Sequence, residues 1–123
     1  MTMANILLLE DYASLQKVYA KILEAAGHTV WVAENGEVGL IMAAEHPVDL
    51  ILVDVLMPVM EGFEFLQTYN LKKHPGVKAV VLTNINDNDL MKKFYKLGAS
   101  NYIIKANTEP KDFLQIISDT LSE

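Results

Sequence analysis

The chain has 123 residues, 51% of them apolar, with ten lysines, no arginine and sixteen acids for a formal charge of −6 at pH 7. That length suits one domain over residues 1–123 with a core on both faces of a sheet, and a net acidic surface excludes a role built on neutralising nucleic-acid phosphates. The absence of cysteine excludes disulfides, thiol catalysis and zinc-thiolate sites. No apolar run approaches the ~20 residues that span a bilayer. The N-terminal MTMANILLLED has no basic segment ahead of its short apolar run and has acids behind it, so it reads as neither signal peptide nor membrane anchor. The expectation is a cytoplasmic protein with no membrane insertion.

Asn5 to Leu9, NILLL, reads as a buried strand that runs into Glu10-Asp11. Leu15, Val18, Tyr19, Ile22, Leu23 and Ala26 then recur on one face of a helix that Gly27 ends. Thr29 to Ala33, TVWVA, is β-branched and aromatic and places Trp31 on an edge strand, with Asn35 as N-cap of the next helix. Val38, Ile41 and Met42 form the inner face of that helix, and His46-Pro47 closes it. Leu50 to Val53 are apolar in succession without alternation, the pattern of a central strand covered on both faces, and they deliver Asp54 at the strand's carboxyl end.

After Met57-Pro58, Gly62 opens a third helix with Phe63, Leu66 and Tyr69 inward and Lys72, Lys73 and His74 near its carboxyl end. Pro75-Gly76 turns the chain into a strand from Val77 to Leu82, which ends in Thr83. Leu90, Met91, Phe94 and Leu97 mark a fourth helix that stops at Gly98, and Asn101 to Ile104 a fifth strand that ends in Lys105. Thr108 and Pro110 start the last helix, whose core face is Phe113, Leu114, Ile117 and Leu121. The three histidines, at helix ends or turns, read as solvated caps, and Lys92, Lys93 and Lys96 as an exposed helix face.

A strand followed by a helix, five times over, specifies an α/β fold with right-handed crossovers. The expectation is a flavodoxin-like doubly wound (βα)5 domain, its five-stranded parallel sheet of order 2-1-3-4-5 with helices on both faces. In that order the ends of the first and third strands flank the topological switch point, where open α/β sheets bind ligands. Glu10, Asp11, Asp54, Thr83 and Lys105 then converge. Three crowded carboxylates raise one another's pKa or demand a cation, and an all-oxygen set suits Mg²⁺ or Mn²⁺. A nucleophilic carboxylate, a metal, an ammonium and a hydroxyl together form a receptor for a phosphoryl group.

These residues carry a family likeness. The acidic pair Glu10-Asp11, Asp54 in DVLMPVMEG with Gly62, Thr83, and LGASNYIIK ending in Lys105 resemble the receiver domain of two-component response regulators, in its single-domain, chemotaxis-like form, over residues 4 to 122. The resemblance implies that Asp54 is phosphorylated by the phosphohistidine of a sensor histidine kinase or histidine phosphotransfer protein. It assigns Mg²⁺ to Asp11, Asp54 and the Leu56 carbonyl, with Glu10 acting through a bound water, and gives phosphoryl oxygens to Thr83 and Lys105. Thr83 and Tyr102 would be the switch, Tyr102 turning inward as Thr83 moves toward the phosphoryl group. A downstream protein would then bind the face formed by the fourth helix, fifth strand and fifth helix, with the chain a monomer or a phosphorylation-dependent dimer. No output domain and no direct nucleic-acid contact are expected, and the chemistry is limited to self-phosphorylation and slow autodephosphorylation.

Two positions depart from the family pattern. Ala106 follows Lys105 where a proline with a cis peptide is usual, which leaves the loop trans or strained and the lysine's reach in question. Asn84 follows Thr83 where a small residue is usual, and either narrows access for phosphodonors or adds a donor to the site. They keep open a second reading, a receiver-like scaffold that binds its partner regardless of phosphorylation. An aspartyl phosphatase would want a second acid where Leu56 stands, and a nucleotide or flavin binder would want a glycine-rich loop after the first strand.

Overall fold

The computed structural model describes residues 3–123. Five strands alternate with five α-helices: β1 (Asn5–Leu9), α1 (Ala13–Ala25), β2 (Thr29–Ala33), α2 (Gly36–Glu45), β3 (Leu50–Val53), α3 (Gly62–Tyr69), β4 (Lys78–Thr83), α4 (Asn88–Lys96), β5 (Asn101–Ile104) and α5 (Pro110–Ser122). All pairings are parallel and the sheet order is β2-β1-β3-β4-β5, as the alternation required.

The unbroken apolar runs divide between two cores, because successive side chains on a strand point to opposite faces. Leu7, Leu9, Ile51, Val53 and Val81 face Phe65, Leu66, Tyr69 and Phe94, contributed by α3 and α4, with α2 packed on the same side. Ile6, Leu8, Leu52, Val80 and Leu82 face Leu23 of α1 and Phe113 and Ile117 of α5. Neither core lacks a partner helix, so every residue of β3 is buried. Among the described residues no helix is long and apolar enough to cross a membrane.

Two helix faces differ from expectation. Val18 and Ile41, expected inward, are 50% and 54% exposed. In α1 the stripe that reaches the sheet is narrower, with Leu23 fully buried and Leu15, Tyr19 and Ile22 half-buried beside it. In α2 the closest approach is at Gly39, where an added Cβ would lie 2.7 Å from Leu9 Cδ2 and 3.1 Å from Phe65. The helix therefore turns Gly39, Leu40 and Ala43 inward and rotates Ile41 to solvent. In α3 Phe65 is fully buried and Phe63 only half so, its ring edge-on to Phe94 at 5.4 Å. Lys72 and Lys73 belong to a separate 3-10 turn, Leu71–Lys73, because Asn70 at φ 58° has already ended α3.

The histidines are engaged rather than simply solvated. His46 stacks on Trp31 with ring centres 4.4 Å apart, and His74 stacks on Tyr69 at 4.0 Å. His28 Nδ1 accepts the Ala4 N–H at 3.1 Å, tying the α1–β2 turn to the start of β1. Burial holds the His28 pKa below its usual 6.5. The folded state thus binds this proton less readily than the unfolded chain, so stability is full above pH 6.5 and falls as pH drops through 6.5 toward the lowered folded value. Protonation also removes the acceptor for Ala4, a loss of about 1 kcal/mol. His28→Gln should flatten the fall of the denaturation midpoint between about pH 7.5 and 5; an unchanged slope would refute the assignment.

Candidate functional site

Strand register builds the site. Leu9 pairs with Val53 across the β1–β3 ladder, so the next residues, Glu10 and Asp54, emerge side by side. The ladder continues past the strands through the Asp54 N–H to Leu9 O at 3.2 Å and the Glu10 N–H to Ala33 O at 3.0 Å. Thr83 pairs with Ile104 at the end of the β4–β5 ladder, so Lys105 leaves the sheet one residue beyond Thr83.

Glu10 and Asp54 are buried and Asp11 is exposed, and one carboxylate oxygen from each lies within 4.8 Å of the others. The Lys105 ammonium donates to Glu10 Oε1 and, at 2.9 Å, to Asp54 Oδ2. Asp54 Oδ1 accepts the Val55 N–H at 2.7 Å, and Glu10 Oε2 accepts the Tyr12 N–H at 3.1 Å. Burial raises the Glu10 pKa, and hydrogen bonds from Lys105 and from the Tyr12 N–H only partly offset it. Burial alone would lower the Lys105 pKa; its hydrogen bonds to Asp54 and Glu10 outweigh that and leave it above the usual lysine value. One ammonium thus bridges two of three clustered carboxylates and cannot neutralise them all. That surplus of hard, anionic oxygen fits a divalent cation of the Mg²⁺ kind.

Lys105 reaches the acids with every peptide bond among the described residues trans. The chain after β5 instead makes a 3-10 turn, Lys105–Asn107, closed by the Thr108 hydroxyl donating to Ile104 O at 2.9 Å. Its Ala106 N–H is accepted by Asn84 Oδ1 at 2.9 Å. Asn84 thus joins the β4–α4 and β5–α5 loops, a role outside both sequence alternatives. The only hint in the sequence was that alanine, unlike proline, brings an N–H that needs an acceptor.

Thr83 is buried at the end of β4, and its hydroxyl accepts the Ile85 N–H at 3.4 Å, so it bonds within its own loop. Tyr102 is buried, its ring 6.2 Å from that of Phe94, and its O–H donates to Ile85 O at 2.7 Å. Leu56 stands in the β3–α3 loop and is 58% exposed. In the same loop Val59 has φ 67°, a left-handed conformation that a β-branched residue adopts only at a cost of order 1–2 kcal/mol.

A model of the response regulator receiver domain matches residues 6–118. The chain is 32% identical over 119 residues to the chemotaxis protein CheY of Halobacterium salinarum, covering 96% of this chain and 97% of that protein. A receiver domain protein from Methanospirillum hungatei superposes with a TM-score of 0.90 at 29% identity, over 98% of this chain and 95% of the other. For CheY4 of Vibrio cholerae the TM-score is 0.89 at 27% identity, over 98% and 100%. The chain also resembles longer transcriptional regulators, such as AfsQ1 of Streptomyces coelicolor at 31% identity, and spans 45% of that protein's length. The chain belongs to the response regulator receiver domains of two-component signalling, a family of signalling proteins rather than enzymes in the ordinary sense.

Proposed function

We propose that this receiver domain is a phosphorylation switch whose phosphoacceptor is Asp54. The observation that carries the reading is the Lys105 ammonium held against Asp54 Oδ2 at 2.9 Å, with three carboxylates inside 4.8 Å at the carboxyl ends of β1 and β3. An Asp54 carboxylate oxygen forms the new P–O bond as the P–N bond of a partner's phosphohistidine breaks. The imidazole leaves with that electron pair and takes a proton from water. The Val55 N–H fixes one Asp54 oxygen and leaves the other beside Lys105, which presents the nucleophile in one orientation. Lys105 and Thr83 then each donate to a phosphoryl oxygen; the Thr83 oxygen accepts the Ile85 N–H, which leaves its hydroxyl proton able to do so.

Glu10, Asp11, Asp54 and the Leu56 carbonyl are the groups that would hold Mg²⁺ or Mn²⁺. A bound divalent ion would supply positive charge to the phosphoryl oxygens as negative charge builds on them. The partners of the switch are a sensor histidine kinase or histidine phosphotransfer protein and, downstream, a protein that reads the α4, β5 and α5 face, all inside the cell. Thr83, Ile85 and Tyr102 connect the two ends of that path, because the Tyr102 O–H is bonded to the loop that follows Thr83.

The test is intact-mass measurement after incubation with Mg²⁺ and acetyl phosphate. One phosphoryl group should appear on the native protein; if none does, the phosphorylation-independent scaffold is the better account. The phosphorylated state should also be long-lived, because Leu56 and Ile85, two residues beyond Asp54 and Thr83, are apolar and neither side chain can hold a water in line with phosphorus. Leu56→Asn should speed loss of the phosphoryl group by about tenfold, the worth of one water-holding hydrogen bond in the transition state. Unchanged decay would count against this.

A further inference from the structure

We infer that Asn84 is a positioning residue for Lys105, acting through the Ala106 amide. Two hydrogen bonds from the β4–α4 loop straddle the lysine: the Tyr102 O–H to Ile85 O at 2.7 Å, three residues before it, and the Ala106 N–H to Asn84 Oδ1 at 2.9 Å, one residue after it. The N–H at the start of a helical turn has no partner within the turn, and here a side chain 22 residues away in sequence supplies the acceptor. With both contacts in place the turn that carries Lys105 is not free to move independently of Thr83–Ile85. The ammonium is thereby held on Glu10 and Asp54, and a displacement of the Thr83 loop is delivered to Lys105 directly.

Asn84 and Ala106 are therefore a matched pair. The Asn84 carboxamide oxygen takes the Ala106 amide proton, and a proline at position 106 would offer it none. In physical terms this side-chain hydrogen bond fixes the turn at its first free N–H and so aims the lysine that opens it.

The functional arm of this inference rests on Asp54 being the phosphoacceptor; the structural arm does not. In ¹⁵N-labelled protein, Asn84→Ala should speed hydrogen exchange at the Ala106 amide by about fivefold, the worth of one exposed hydrogen bond. It should also slow phosphoryl uptake from acetyl phosphate by about the same factor, while having no further effect in a Lys105→Ala background. Ala106→Pro removes the N–H and should likewise make Asn84→Ala silent. Equal exchange at Ala106 with and without Asn84 overturns the inference, as does an equal effect of Asn84→Ala whether or not Lys105 is present. Should the native protein take up no phosphoryl group, the phosphoacceptor reading fails while the exchange measurement still decides the role of Asn84.

Discussion

Replacing Gly62 with alanine is expected to destabilise the protein by about 3 kcal/mol and to remove its phosphoryl uptake together with that stability. A Cβ on Gly62 would lie 2.0 Å from the Asp54 carbonyl oxygen and 3.0 Å from both the Asp54 carbonyl carbon and Val53 Cγ2. The nearest neighbour is backbone, so no rotamer change can relieve the overlap. Either α3 withdraws from the sheet or the Asp54 peptide rotates. The first breaks the Gly62 N–H to Val55 O bond at 3.0 Å that closes the β3–α3 loop, and the second turns the Asp54 side chain away from Lys105. Since domains of this size are held by only about 5–15 kcal/mol, a loss on this scale is visible as a clear drop in the urea midpoint. A midpoint within experimental error of the native protein would show that the loop tolerates the methyl group and that the close approach does not set the acceptor's position.

Asp54→Asn is expected to abolish phosphoryl uptake entirely while the chain still folds. An amide offers no anionic oxygen to attack phosphorus and cannot form an acyl phosphate. The folding consequences are of opposite sign. The substitution removes one of three carboxylates within 4.8 Å, relieving repulsion, and it takes from Lys105 a charged partner while leaving Glu10 in place. Circular dichroism should therefore show a native spectrum, and Mg²⁺ binding followed by calorimetry should weaken with the loss of a ligand charge. Phosphoryl mass on the Asp54→Asn variant at native yield would place the acceptor on another residue.

Much of the architecture follows from local pattern. Four uninterrupted apolar residues from Leu50 to Val53, in a chain that alternates strand and helix, read as a strand sealed on both sides, and Asp54 directly after them leaves the sheet at its carboxyl edge. The turn and cap signals are equally direct: Asn35 accepts the Val38 N–H at 2.9 Å, and Gly27 and Gly98 take positive φ after α1 and α4. Periodicity is less reliable for which flank of a helix is buried. It points Ile41 inward because hydrophobic spacing cannot see that Gly39, with no side chain, is where α2 comes closest to Leu9. That Glu10, Asp11, Asp54 and Lys105 meet is legible from their places at the strand ends. How the Lys105 turn is held is not.

The order of the elements, the sheet class and the inventory of acid, hydroxyl and ammonium at the strand ends are all written in consecutive residues whose burial pattern is local, so the chain read alone suffices for them. Folding in three dimensions adds that Lys105 is shared between Glu10 and Asp54, that Thr83 bonds to its own loop, that Tyr102 is held by Ile85 O, and that Asn84 carries the Ala106 amide. Most of these contacts join loops brought together by strand register, and a hydrogen bond depends on distances of a few tenths of an ångström that composition and spacing do not encode.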